Sequence, residues 1–114
     1  MQQDVVTVGL DLGKNVFQVH AIADDGKVLV RRQLRRAEVS KFFSSLLRSL
    51  VGMEACASAH HWSRELLALG RDVRLMPRAY LERYVKRGKI DAADAEAICE
   101  AVTRPTKADL RQAA

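Results

Sequence analysis

Nothing in this sequence approaches the ~20 consecutive apolar residues that a membrane-spanning helix needs, although 48% of its 114 residues are hydrophobic. The opening MQQDVVTVGLD lacks a basic segment followed by an apolar stretch, so no secretion signal is expected. Cysteine is scarce. Cys56 and Cys99 stand far apart, without CxxC spacing, and read as small core residues of a protein in a reducing cytosol, with no zinc expected. Proline occurs only at Pro77 and Pro105, each placed to stop an element. There is no internal repeat, no low-complexity tract and no linker before about residue 103. What remains is one domain, residues 1–104, with a tail over 105–114. A chain of this size buries roughly 60–70% of its unfolded surface.

Charge is what the sequence has in quantity. Nineteen Lys and Arg against fourteen Asp and Glu leave a net +5, which favours a polyanionic partner such as nucleic acid. The distribution is more informative than the sum. Lys27, Arg31, Arg32, Arg35 and Arg36 fall in ten residues without an acid. Residues 71–89 carry seven basic side chains against Asp72 and Glu82, and Asp91, Asp94, Glu96 and Glu100 follow at once. A basic surface beside a group of acids suits a protein that holds phosphates and binds a cation.

Hydrophobic periodicity gives the elements. Val5 to Leu10 is a nearly continuous apolar run, as in a central strand covered on both faces. Gly13-Lys14-Asn15 is a turn, Val16 to Ala23 a second strand, and Asp25-Gly26 a two-residue hairpin signal leading into a third strand, Lys27 to Leu34. Val39, Phe42, Phe43, Leu46, Leu47 and Leu50 then fall on one face of a helix. Leu50 to Met53 reads as a short buried strand ending at Glu54. Ser58 is the expected N-cap of a second helix carrying Trp62, Leu66 and Leu69, with Gly70 at its left-handed end. Asp72 to Met76 is a fifth strand. Tyr80, Leu81, Tyr84 and Val85 mark a third helix ending near Gly88, and Asp91 to Val102 a fourth, closed by Arg104-Pro105. The order βββαβαβαα predicts an α/β fold: a mixed five-stranded sheet with helices on both faces.

Four acids are candidates for one site. Asp11 and Glu54 end the first and fourth strands, which such a sheet can place side by side and parallel. Both would then project at the C-terminal edge, where open α/β sheets place their sites. Asp91 and Asp94 are three apart on a helix and share a face. Carboxylates that converge repel one another unless a cation joins them. A hard divalent ion, Mg²⁺ in the presence of phosphate and water, fits that donor set, and two such ions can clamp a phosphodiester. Each acid also has an ordinary alternative: a turn residue for Asp11, a solvated Glu54, an N-cap Asp91, and a first-turn acid favoured by the helix dipole for Asp94. His60-His61 could be ligands, phosphate contacts or plain surface histidines. Glu96 and Glu100 read as surface acids. Lys14, Arg31, Arg32, Arg35, Arg36, Lys86, Arg87 and Lys89 are the candidate phosphate contacts.

VGLDLGKNVFQVHAIADDGKVLVRRQLRR, VGMEACASAHHWSRELLALGRDVRLMP and KIDAADAEAICEAVTRP, in this order, resemble the N-terminal part of the DEDD transposases of bacterial insertion sequences, also called bridge-RNA-guided recombinases. The resemblance spans residues 5–106. It implies a ribonuclease-H-like, RuvC-like fold and a site in which Asp11 of GLDLGK, Glu54 of GMEAC, and Asp91 and Asp94 of KIDAADAEA bind Mg²⁺ or Mn²⁺. It further implies DNA strand cleavage and transfer during transposition, DNA and a guide RNA as partners, a homo-oligomer in the whole protein, and a bacterial cytoplasm with nucleoid association during action. Ile90 departs from the family, which has Asn there. Family members also continue into a second catalytic domain with a nucleophilic serine. Here the sequence ends at Ala114 and KADLRQAA no longer resembles them, so residues 105–114 are expected to begin a missing region and the domain to be incomplete as an enzyme. Ser58 and Ser63 are not in the family's serine motif. Two other functions stay open: an inert nucleic-acid-binding or assembly module, and a fragment of an actin-like kinase or ATPase, whose second Asp-Gly phosphate loop is not found here.

Overall fold

Val8 and Leu10 are fully buried on one side of β1 (Thr7–Leu12), and alternation turns Thr7, Gly9 and Asp11 to the other. This strand is the middle of the molecule. In the computed structural model, which describes residues 4–46, 48–84 and 91–103, β2 (Val16–Ile22) runs antiparallel to it, with Leu12 opposite Phe17. β3 (Val28–Arg35) is antiparallel on β2. On the other side β4 (Leu50–Glu54) lies parallel to β1, with Leu10 opposite Met53, and β5 (Asp72–Met76) lies parallel to β4, with Glu54 opposite Met76. The sheet order is β3-β2-β1-β4-β5. The antiparallel meander and the parallel pairing of the first and fourth strands follow the sequence reading.

Each face of the sheet carries helices. α1 (Val39–Ser44) and α2 (Ala57–Ala68) place Val39, Phe43, Trp62 and Leu66 on Val8, Leu10, Phe17, Val51 and Met53. The Phe17 and Trp62 rings meet edge to face at 5.3 Å. On the opposite face α4 (Asp91–Thr103) packs Ile98, Ala101 and Val102 against Met76 and against Leu81 of the four-residue α3 (Arg78–Leu81). Among the described residues no helix is long and apolar enough to cross a membrane.

Several local expectations are corrected by tertiary contacts. The helical spacing that runs on to Leu50 stops at Ser44, because Leu50 pairs with Thr7 in the sheet and its N–H donates to the Val6 carbonyl at 3.0 Å. The Arg71 guanidinium closes over the end of α1, donating to Phe43 O (2.7 Å) and, just beyond the helix, to Leu46 O (2.6 Å). Ser58 is inside the first turn of α2 and not its cap; the N-cap is Cys56, without a side-chain cap bond. The hairpin turn is longer than two residues: Gly26 N–H donates to Ala23 O and Ala23 N–H to Lys27 O, with Gly26 at φ +89°. The third helix is one turn followed by the 3-10 turn Glu82–Tyr84. Its continuation toward Gly88, together with Val85, Leu47 and the tail 105–114, lies outside the described residues. At the end of α2, Gly70 has φ +81°, and Gly70 and Arg71 donate to the carbonyls of Leu67 and Leu66, the paired bonds of a Schellman cap.

Gly9 and Gly52 stand opposite one another in the β1–β4 ladder. A Cβ on Gly9 would overlap the Ala95 carbonyl oxygen and the backbone of Cys99; one on Gly52 would come within 2.9 Å of the Val102 Cβ. The two glycines form the floor on which α4 rests. Gly9→Ala is therefore expected to destabilise the protein by about 3 kcal/mol, as overpacking against backbone does. The check is the urea midpoint; a midpoint equal to that of the unaltered chain would mean that α4 does not rest on β1.

Candidate active site

Asp11 and Glu54 each follow a fully buried residue, Leu10 and Met53, and those two are register partners on parallel strands. The acids consequently lie at the same C-terminal edge, on strands roughly 4.8 Å apart. By alternation both face the side covered by α4. Each is half-buried. Asp94, also half-buried, belongs to the stripe of α4 that continues through Ala97 and Ile98. Glu54 and Asp94 line one small cleft of about 30 Å³, together with Arg78, Leu81, Glu82, Ala97 and Ile98. Asp94 lies in the first turn of α4, so the positive end of the helix dipole is directed at this edge and favours carboxylates there.

Sequence reasoning has Arg78 only as the start of a basic stretch that can neutralise phosphates, and does not pair it with Glu54. Ala55 N–H donates to Met76 O at 2.8 Å, which holds the end of β5 beside Glu54. Pro77 then turns the chain into α3, and Arg78 Nη1 reaches both Glu54 oxygens at 3.3 and 3.4 Å. That is long for a charge-assisted hydrogen bond, normally about 2.7–2.9 Å. The pair is also open to water, with the Arg78 side chain 64% exposed and that of Glu54 31% exposed. In the sequence Arg78 is one basic residue among seven. Only the β4–β5 register shows which acid it meets.

The remaining candidates are dispersed. The Asp91 side chain lies outside the described residues, as do Lys86, Arg87, Lys89 and Ile90. Lys14 is exposed in the turn that follows Asp11 and Leu12. Arg35 and Arg36, exposed at the end of β3, reach the same edge of the sheet two strands away, Arg35 opposite Val16. Arg31 and Arg32 split between faces. Arg31 pairs with Glu96 of α4 at 3.9 Å, and the Arg32 guanidinium stacks over Phe42 at 5.5 Å. Glu96 is thus an ion-pair partner. His60 and His61 are exposed on α2, against the other face of the sheet, with His61 edge-on to Trp62. Among the described residues no three His, Cys, Asp or Glu side chains are gathered closely enough to hold a metal ion.

The cysteines divide. Cys99 is buried as expected, under α4 against Gly9, while Cys56 is exposed at the head of α2 and is no core residue. Burial pushes the Cys99 thiol up to about 12.

No family model matches the chain. A protein of Pseudomonas aeruginosa (strain PAO1) named "Probable family 20 transposase" is 56% identical over 99 residues, which make up 87% of this chain and 29% of that protein. The transposase for insertion sequence element IS1328 of Yersinia enterocolitica is 39% identical over 103 residues, 90% of this chain and 31% of its own length. Over this stretch the chain is similar to insertion-sequence transposases. It spans about three-tenths of the length of these relatives. The chain also has a solved structural counterpart, "T. thermophilus RuvC in complex with Holliday junction substrate", with a TM-score of 0.61 at 12% identity over 86% of this chain and 91% of that one. The fold is RuvC-like and ribonuclease-H-like.

The thiols supply a test of how tightly α4 is seated. Cys56 is expected to react readily with a thiol reagent at pH 8 and Cys99 only after unfolding; equal rates in the native protein would place Cys99 outside the core. The raised Cys99 group also sets a sign. The unfolded chain loses this proton first, so the contribution to stability is complete below about pH 9 and is lost as pH rises toward 12.

Proposed function

We propose that this transposase segment carries the metal-binding acids of a DNA strand-cleavage and strand-transfer centre: Asp11, Glu54, Asp94 and, on the first turn of α4, Asp91. The observation that carries this is the meeting of Glu54 and Asp94 in one cleft at the C-terminal edge of parallel strands, with Asp11 at the end of the next strand. The donor set fits a hard divalent cation. The described cleft is lined by carboxylates and has no thiol or imidazole, and a guanidinium already stands where positive charge is needed. No three such side chains are gathered among the described residues, and the Asp91 side chain lies outside them. A bound Mg²⁺ or Mn²⁺ would polarise a phosphodiester oxygen and acidify a water ligand.

The protein's own residues supply the rest. Lys14, Arg35 and Arg36 border this edge and neutralise phosphates without reading sequence. Arg31 and Arg32 add exposed basic charge on β3; Lys86, Arg87 and Lys89, which lie outside the described residues, stay in the proposal as phosphate contacts on their sequence alone. DNA is the substrate in this proposal and the bacterial cytoplasm the place; a guide RNA and a homo-oligomer belong to the whole protein. An inert nucleic-acid-binding module is the second reading, favoured by the absence of a gathered metal group among the described residues.

Metal linkage separates the two. A ligand that binds only the folded state, present at ten times its Kd, stabilises by about 1.4 kcal/mol. In a domain this small that shifts the thermal midpoint by several degrees. Millimolar Mg²⁺ or Mn²⁺ is expected to produce such a rise, reduced in Asp11→Asn and Glu54→Gln. A midpoint that ignores both ions favours the module.

DNA binding is expected to be weak, and to fall steeply with salt because each neutralised phosphate releases counterions. Strand cleavage and joining are expected to be absent for this chain alone, since it spans only about three-tenths of its relatives' length. Incubation with branched and duplex DNA in Mg²⁺ checks this. Cleavage that disappears in Asp11→Ala would show that the segment is catalytically sufficient.

A further inference from the structure

We propose that Arg78 is an exchangeable counter-ion of the cleft: it holds Glu54 while the metal is absent, yields it when the metal loads, and then serves as a phosphate contact beside the ion. The inference rests on the metal-binding role proposed above for Glu54.

Three observations carry it. The first is position. Arg78 lines the same cleft as Glu54 and Asp94, and is the residue whose guanidinium meets Glu54 across the β4–β5 junction. The second is the quality of the bond. One nitrogen straddles both carboxylate oxygens at 3.3 and 3.4 Å, where a two-nitrogen fork at about 2.7–2.9 Å would be the strong geometry. The chain makes a two-nitrogen pair elsewhere, between Arg48 and Asp72, through Nε at 3.3 Å and Nη2 at 3.1 Å. The third is solvent. With Arg78 64% exposed, its guanidinium can leave Glu54 and be hydrated without a buried charge left behind.

The consequence is competition. A cation that takes both Glu54 oxygens removes the acceptors of Arg78. The guanidinium remains tethered at the first residue of α3, on the rim of the same cleft. There it faces whatever anion the ion brings, and a planar guanidinium suits a phosphate. Before loading, Arg78 offsets the like-charge repulsion between Glu54 and Asp94. After loading, its positive charge would oppose the ion unless a phosphate is present. Metal and DNA should therefore bind cooperatively through this one residue.

The experiment compares the unaltered chain, Arg78→Gln and Arg83→Gln by thermal midpoint against Mg²⁺ and Mn²⁺, and by DNA binding in EDTA and in Mg²⁺. Arg83 is the control for a lost charge nearby, since its guanidinium lies over Tyr80. An exposed pair of this kind should weaken metal binding roughly two- to six-fold, so Arg78→Gln is expected to respond to that much less metal and Arg83→Gln to match the unaltered chain. In Mg²⁺, Arg78→Gln should lose DNA affinity and about 0.9 of the salt slope, with a smaller loss in EDTA. If all three respond to metal at the same concentration, or Arg78→Gln needs more, the exchange is overturned while the metal site stands. If neither the unaltered chain nor Arg78→Gln responds to metal, the metal-binding role of Glu54 fails and the exchange with it. An equal DNA loss in EDTA and in Mg²⁺ would overturn the transfer of Arg78 to phosphate.

Discussion

The close approach of α4 to the centre of the sheet is the constraint on which the rest depends. Two strands without side chains at one register level, Gly9 and Gly52, let the backbone of a helix descend onto them. That contact sets how far α4 overhangs the sheet, and so where Asp94 lies relative to Glu54. It also explains the small residues of the helix. Ala95, Cys99 and Val102 are the atoms nearest the glycine floor, and larger side chains there would lift the helix away. The apolar closure and the acidic cleft are thus the same piece of geometry. Ile98 and Val102 seal the lower part of the helix, and one turn further up Asp94 opens onto the cleft.

Charge is then distributed so that the cleft keeps its acids and the surface keeps its bases. Arg31 is drawn to Glu96 on α4, Arg48 to Asp72 at the start of β5, and Arg71 to the carbonyls that end α1. Exposed pairs such as the first two contribute little to stability. They leave fewer basic side chains open to a partner while the net charge stays +5. Among the described residues, Lys14, Arg35 and Arg36 stand exposed along the carboxylate edge, with Arg78 paired to Glu54 there. β3 also forms one border of the sheet, and arginines on it discourage edge-to-edge pairing with another copy. The same side chains therefore serve solubility whether or not a phosphate is present.

Much of this was legible in the sequence, and the parts that were not share a cause. The strand ends at Asp11 and Glu54 show themselves because a buried apolar run meets a polar residue within a step, and period-2 alternation then gives the face. The hairpin at Gly26 and the helix end at Gly70 are visible because left-handed backbone needs glycine. By contrast, Leu50 satisfies helical spacing as well as a strand start, and only its pairing with Thr7 decides between them. The exposure of Cys56 and the start of α2 before Ser58 are likewise set by how β4 hands over to the helix. That Gly9 and Gly52 stand side by side is visible only in the β1–β4 register. Arg78 lost its identity inside a basic stretch for the same reason.

The cleft is consequently a site whose parts are held at different stiffness. Asp11 and Glu54 ride on the ends of strands whose neighbouring residues, Leu10 and Met53, are completely buried, so their backbone positions are fixed by the core. Arg78 is held by a loose, solvated pair on a one-turn helix. Had the Arg78–Glu54 pair been buried, removing one partner would cost about 3–5 kcal/mol, more than exchange with a hydrated cation could readily offset. At the exposed rim that penalty is absent. The strand ends thus stay fixed while the guanidinium at the rim can move, and the glycine floor beneath α4 is what keeps Asp94 in the same cleft as Glu54.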